Sequence, residues 1–202
     1  MLAMGIQIEW QNAHADVQPT LSTAPSCVTC CGGSVRRIAF ICDTSESMRA
    51  KWPTLLEKLG GAISGLRPIQ TFDIVLIRPG SPLIYSLSMA TANAREKRLA
   101  LAFLNQAEIG GETTPTAGLD LAMSRRPNLV YLLIDASFSA NEARARLCEI
   151  NADPHVRVNV IILTDSQDAD AEKIEELKGI AEENGGTSKT VVVDENAPGL
   201  RR

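Results

Sequence analysis

The chain has 202 residues, enough for one α/β domain with a buried core and a short extension. With 4% aromatic residues, a net charge of −4 and no basic block, it offers neither a stacking platform nor an electrostatic footprint for DNA or RNA. No window approaches the ~18 apolar residues that read as a membrane span.

The opening stretch, MLAMGIQIEWQNAHADVQPT, has neither the basic start nor the apolar run of a signal peptide. The default compartment is therefore the cytoplasm, unless a segment upstream of this chain exports it or tethers it to a membrane. Residues 1–35 are polar, rich in Ser, Thr and Pro, and aperiodic, and read as a flexible leader. The five cysteines are odd in number and do not form a disulfide framework. Cys27 and Cys30 make one C-x-x-C with Cys31 beside it, but two further zinc ligands at a workable spacing are missing, and His14 lies in the leader. These thiols read as leader residues, and Cys42 and Cys148 as small buried hydrophobes.

From Arg36 the pattern becomes periodic. RIAFICD, ending at Asp43, is a continuous apolar strand, and WPTLLEKLGGAISGL has helical spacing at Trp52, Leu55, Leu56, Leu59, Ile63 and Leu66. TFDIVLI is a second strand, and LIYSLS, after the turn Pro79-Gly80-Ser81-Pro82, a third that forms a hairpin with it. NAREKRLALAFLNQAEI is an amphipathic helix, GGETTPT a loop, AGLDLAMSRR a short helix, and NLVYLLID a fourth, uninterrupted strand. SANEARARLCEIN carries a capping-box signature, Ser139 followed by Glu142. VRVNVIILTD is a fifth strand, DADAEKIEELKGIAEEN a helix closed by Asn184-Gly185-Gly186, and KTVVVD the last strand.

Strands that are apolar on both faces and alternate with helices predict a Rossmann-like, three-layer α/β/α sandwich. Its mostly parallel sheet has six strands, one of them an antiparallel edge strand. The domain covers residues 36–195, and 196–202 form a disordered tail. Sheets of this kind bind ligands at the carboxyl ends of their strands, and three strands here end in aspartate: Asp43, Asp135 and Asp165.

Asp43-Thr44-Ser45-Glu46-Ser47 places a carboxylate and two hydroxyls in one turn, where residues i, i+2 and i+4 can converge. Carboxylates and hydroxyls are hard oxygen donors that suit Mg²⁺ or Mn²⁺ rather than zinc. One turn cannot complete such a shell. Further oxygens are on offer from Gly110-Gly111-Glu112-Thr113-Thr114-Pro115 and from Asp135, at the end of an apolar run from Leu129.

DTSES, GGETTPTAGL and LLIDAS resemble the three pieces of the metal-ion-dependent adhesion site of von Willebrand factor A domains: D-x-S-x-S, a threonine after a glycine pair, and an aspartate ending the fourth strand. The resemblance runs from about Arg36 to Asp194, and IAEENGGTSKTVVVD is similar to the last helix and strand of bacterial members. It implies that Asp43, Ser45, Ser47, Thr113 and Asp135 hold Mg²⁺, with Mn²⁺ or Ca²⁺ as substitutes. The serines and threonine would bind the ion directly, and the aspartates often through water. A carboxylate from a protein ligand would fill the open position, with no catalysis involved.

Two departures stand out. Glu46 replaces a common glycine; its side chain is expected to face out, the alternative being that it leans over the ion in the partner's stead. Ile134-Asp135-Ala136 replaces T-D-G, and Thr114 is an alternative to Thr113. Outside the motif, Asp165 is expected to cap the following helix, Asp120 to be solvated, His155 to be a turn residue, and Met48 and Trp52 to be core.

Two other functions compete. One is an interaction scaffold whose metal site is empty. The other is a Mg²⁺-dependent phosphotransferase with Asp43 as nucleophile, a chemistry that wants a second aspartate in the same turn and a lysine to hold the phosphate, and neither arrangement is visible. The G-x-G-x-x-G, P-loop and G-x-S-x-G motifs are absent.

Overall fold

The structure, a computed structural model, describes residues 35–151, 156–165 and 170–193. The leader with His14, Cys27, Cys30 and Cys31, the expected turn residue His155 and the tail from 196 lie outside the described residues.

The chain runs β1 (Arg37–Asp43), a 3-10 turn (Glu46–Met48), α1 (Trp52–Gly65), β2 (Thr71–Ile77), β3 (Leu83–Ile84), β4 (Ala90–Thr91), α2 (Ala94–Asn105), α3 (Pro115–Ser124) and β5 (Leu129–Asp135). It continues through α4 (Ala140–Ile150), β6 (Arg157–Thr164), α5 (Ala171–Glu183) and β7 (Ser188–Val192). All seven strands share one sheet in the order β3-β2-β1-β5-β6-β7, with β4 also on β2. The strands from β2 to β7 along this order are parallel, and β3 and β4 are antiparallel to β2.

Every residue of β5 is buried, as is all of β1 beyond Arg37, because helices cover both faces. Alternation along β1 splits the core. Ile38, Phe40 and Cys42 pack with Leu55, Leu59 and Ile63 of α1 and Leu104 of α2, whereas Ala39 and Ile41 pack with Leu119 of α3, Leu147 of α4 and Leu177 of α5. Full burial of side chains such as Phe40 and Phe72 stabilises the fold by about 1.5–3 kcal/mol each. Met48 and Trp52 are in the core, as expected.

Several details differ from the sequence reading. The third strand keeps only Leu83 and Ile84; Ser86 to Met89 leave the ladder, and pairing with β2 resumes in the unexpected β4. An edge strand is held from one side only, and short edge strands also limit edge-to-edge association. The capping box does not close: Ser139 makes no side-chain cap bond, and the Thr116 hydroxyl donates to Glu142 Oε1 at 2.8 Å, joining α3 to α4. Asp165 is not the cap of α5. That role belongs to Asp170, which accepts from the N–H groups of Glu172 and Lys173. Cys148 is exposed on α4 while Cys42 is buried, and Asp120 pairs with Arg146 at 2.6 Å rather than with water alone.

Candidate functional site

The site begins where β1 runs out. Asp43 is 1% exposed, and its carboxylate accepts three bonds. Oδ1 takes the Ser45 N–H at 3.0 Å and the Thr113 hydroxyl at 2.8 Å, and Oδ2 takes the Ser45 hydroxyl at 2.7 Å. The first of these is an Asx turn, which an aspartate two residues before a serine forms readily. The turn is pinned on three sides. Thr44 donates its N–H and its hydroxyl to the Ile77 carbonyl of β2, at 3.0 and 2.7 Å. Gly110 N–H donates to the Thr44 carbonyl at 2.9 Å, and Glu46 N–H to the Gly111 carbonyl at 3.1 Å. Met48, fully buried, anchors the far end.

These cross-bonds bring the glycine loop alongside. Gly111 has φ +76°, and a Cβ there would lie 2.5 Å from Pro79 Cγ, so the approach requires glycine. The loop delivers the Thr113 hydroxyl to Asp43, whereas Thr114 is the N-cap residue of α3 and makes no side-chain cap bond.

A run of hydroxyls crosses the rim of the sheet. Ser45 Oγ is 3.0 Å from Ser47 Oγ, which is 2.8 Å from Ser137 Oγ. Ser137 donates both its hydroxyl and its N–H to Asp135 Oδ1, at 2.6 and 2.9 Å. Asp43, Ser45, Ser47 and Thr113 are thereby joined in one hydrogen-bonded set, and Asp135 is linked to it through the Ser137 and Ser47 hydroxyls.

Two participants were missed in the sequence. Ser137 repeats the D-x-S pattern and the turn of Asp43-x-Ser45, and that repetition was the available signal. Lys51 is 8% exposed, and its Nζ donates to Asp135 Oδ2 at 3.1 Å and to the Ser47 carbonyl at 3.0 Å. Its place between Met48 and Leu55 on the inward stripe of the turn and α1 was the corresponding signal.

The two buried acids respond differently. Burial pushes the Asp43 carboxyl up; hydrogen bonds from Ser45 and Thr113 oppose this without cancelling it, and the charge of Asp135 adds to the rise. Burial also pushes Asp135 up, but the Ser137 and Ser47 hydroxyls and the Lys51 ammonium together outweigh it and hold the carboxyl below its ordinary value.

Glu46 faces away from this set. Both its carboxylate oxygens are bonded by Arg49, at 2.6 and 2.7 Å, and Arg49 also reaches the Ile109 carbonyl at 2.6 Å. The pair lies across the Gly110 side of the loop, engaged with itself.

Hard oxygens drawn mostly from hydroxyls fit Mg²⁺ or Mn²⁺. Among the described residues no three His, Cys, Asp or Glu side chains gather to hold a metal. The lysine not visible in the sequence for phosphotransfer is present in space, as is a second aspartate on β5. The Lys51 ammonium is nevertheless engaged by Asp135, and the would-be nucleophile Asp43 already accepts three bonds.

A family model described as von Willebrand factor type A domain matches residues 36–190, and no curated protein matches the chain. Among solved structures, the chain is similar to a von Willebrand factor type A protein from Catenulispora acidiphila. The TM-score is 0.63 at 16% identity, over 80% of this chain and 39% of that one. It is also similar to the manganese-loaded TRAP protein of Plasmodium vivax, with a TM-score of 0.58 at 19% identity, over 78% of this chain and 68% of that one. At such identities the likeness is one of fold.

Proposed function

This chain belongs to the von Willebrand factor type A domain family, and from that premise we propose that it is a non-enzymatic module that captures a protein partner through a Mg²⁺ ion. Asp43, Ser45, Ser47 and Thr113, with Asp135 behind them, would supply the protein's share of the coordination shell. An Asp or Glu of the partner would complete it. The observation that carries this reading is the joining of Asp43, Ser45, Ser47 and Thr113 by contacts of 2.7–3.0 Å at the carboxyl edge of the sheet. A bound ion would contribute a hard positive centre, and the chain's part is to hold oxygens around it and keep them oriented. The manganese-loaded relative supports a divalent ion of this size class.

Ion binding to the folded state alone raises stability by mass action, by about 2.7 kcal/mol at a hundredfold excess over Kd, or about 5–10 °C in melting temperature for a domain of this size. We expect MgCl₂ to produce such a rise relative to EDTA and Asp43→Ala to abolish it. Pull-downs with wild-type bait should capture a partner in Mg²⁺ and lose it in EDTA.

One observation favours a second reading, an interaction scaffold that works without an ion. Lys51 already places a positive charge on Asp135. Equal capture of a partner in Mg²⁺ and EDTA, with no shift in melting temperature, would select it. Release of phosphate from generic phosphoesters, lost in Asp43→Ala, would instead point to the phosphotransferase.

A further inference from the structure

Lys51 is out of place for a residue whose neighbours are meant to collect a cation. It follows Ser47 by four residues, and its ammonium is drawn inward to two oxygens, Asp135 Oδ2 at 3.1 Å and the Ser47 carbonyl at 3.0 Å, with Asp165 Oδ2 4.0 Å away on the outer side. Two of the ammonium's three N–H donors are used by the first two, and Asp165 lies beyond hydrogen-bond reach. Asp135 and Lys51 side chains are 2% and 10% exposed, so water screens their attraction little, whereas Asp165 at 58% is a solvated outer neighbour. Bringing an ammonium this far from water is costly unless an anion compensates it, and ordering its four-carbon stem adds to the cost. The compensation comes from Asp135, whose other carboxylate oxygen takes the Ser137 hydroxyl and N–H.

We infer that Lys51 is a tethered counter-cation of the site, standing on Asp135 when no divalent ion is present and lowering the affinity of any ion that binds. This rests on the ion-bridged reading above and adds its regulation. Charge counting gives the consequence. The buried groups Asp43, Asp135 and Lys51 sum to −1, so a divalent ion leaves the centre at +1, and an incoming carboxylate restores neutrality. Without the lysine the ion alone neutralises the two acids, and the partner's acid is no longer needed for balance. The lysine therefore trades affinity for the ion against dependence on the partner's carboxylate.

The test is calorimetric titration of MgCl₂ and MnCl₂ into the full-length chain, comparing wild type with Lys51→Met and Lys51→Arg. Removing a unit charge from this poorly screened position should tighten both ions by about tenfold or more. Lys51→Arg, which keeps the charge, should stay within about threefold of wild type. In EDTA, Lys51→Met should melt below wild type because Asp135 loses its partner. If Lys51→Met is unfolded in EDTA, added ion must restore the fold, and failure to do so overturns the inference. Ion binding by wild type with no gain in Lys51→Met, or an equal gain in Lys51→Arg, overturns the role of Lys51 and leaves the ion-bridged reading standing. Binding by Lys51→Met alone sustains the lysine's role and sinks the ion-bridged reading of the natural chain. Binding by neither sinks both.

Discussion

Asp73 lies in β2 with 0% exposure, and one of its carboxylate oxygens accepts no hydrogen bond although Arg125 Nε, equally without one, is 3.8 Å away. Burial pushes its carboxyl up to about 6, against the opposing Ile74 N–H and the charge of Arg125. The unfolded chain releases this proton near 3.8 and the folded chain near 6, so the folded state holds it more tightly between those values. The associated stability is complete below about pH 4 and is lost as pH rises through about 6, a difference of about 3 kcal/mol. Urea midpoints of wild type should therefore carry a downward component between pH 4 and 7 that Asp73→Asn lacks; superimposable pH profiles would refute it. At this scale the sequence was only partly readable. Asp43, Ser45 and Ser47 announce themselves because the turn that joins them is local. Lys51 and Ser137 reach Asp135 and Ser47 across 84 and 90 positions, and no local pattern reports a contact between different strand ends. The same limit hid the partner of Asp120.

Among the elements, α3 and β2 do the positioning. Gly118 of α3 lies directly against Ile77, and a Cβ there would be 2.6 Å from Ile77 Cγ1. The carbonyl of that same Ile77 holds both donors of Thr44. Gly118→Ala should therefore push helix and strand apart, costing about 1–3 kcal/mol in denaturant unfolding. It should also weaken the ion-linked rise in melting temperature, since the turn and the Thr113 loop rest on the two parted elements. An unchanged unfolding midpoint would show that the helix adjusts freely. The central strands were easy to read because two-sided burial demands unbroken apolar runs, as in β1 and β5. Edges and caps were harder. The run LIYSLS alternates well enough for a strand, yet only Leu83 and Ile84 find a ladder. Glu142, spaced correctly for Ser139, is taken by Thr116 because a tertiary partner displaced the local one.

At the scale of the whole molecule, the parallel sheet has a direction. β1, β5 and β6 all climb toward the same edge, which is why Asp43, Asp135 and Asp165 all lie there although six helices and strands separate β1 from β5 in the chain's course. The opposite edge is closed differently, with Arg37 Nε donating to the Arg126 carbonyl at 2.8 Å and binding the end of α3. Fold class followed from the alternation of elements, while the pairing order of the strands required the structure. The direction of β1 has a practical corollary. Arg37 and Asp43 stand about 20 Å apart along the strand, so whatever precedes residue 37 enters on the floor of the sheet. Val192, paired with Thr164, ends on the roof. A sensor chip or bead coupled at position 36 should leave the oxygen-lined face open to solution, and coupling at position 192 should crowd it. Identical capture from both orientations would mean that partners approach from somewhere other than the roof.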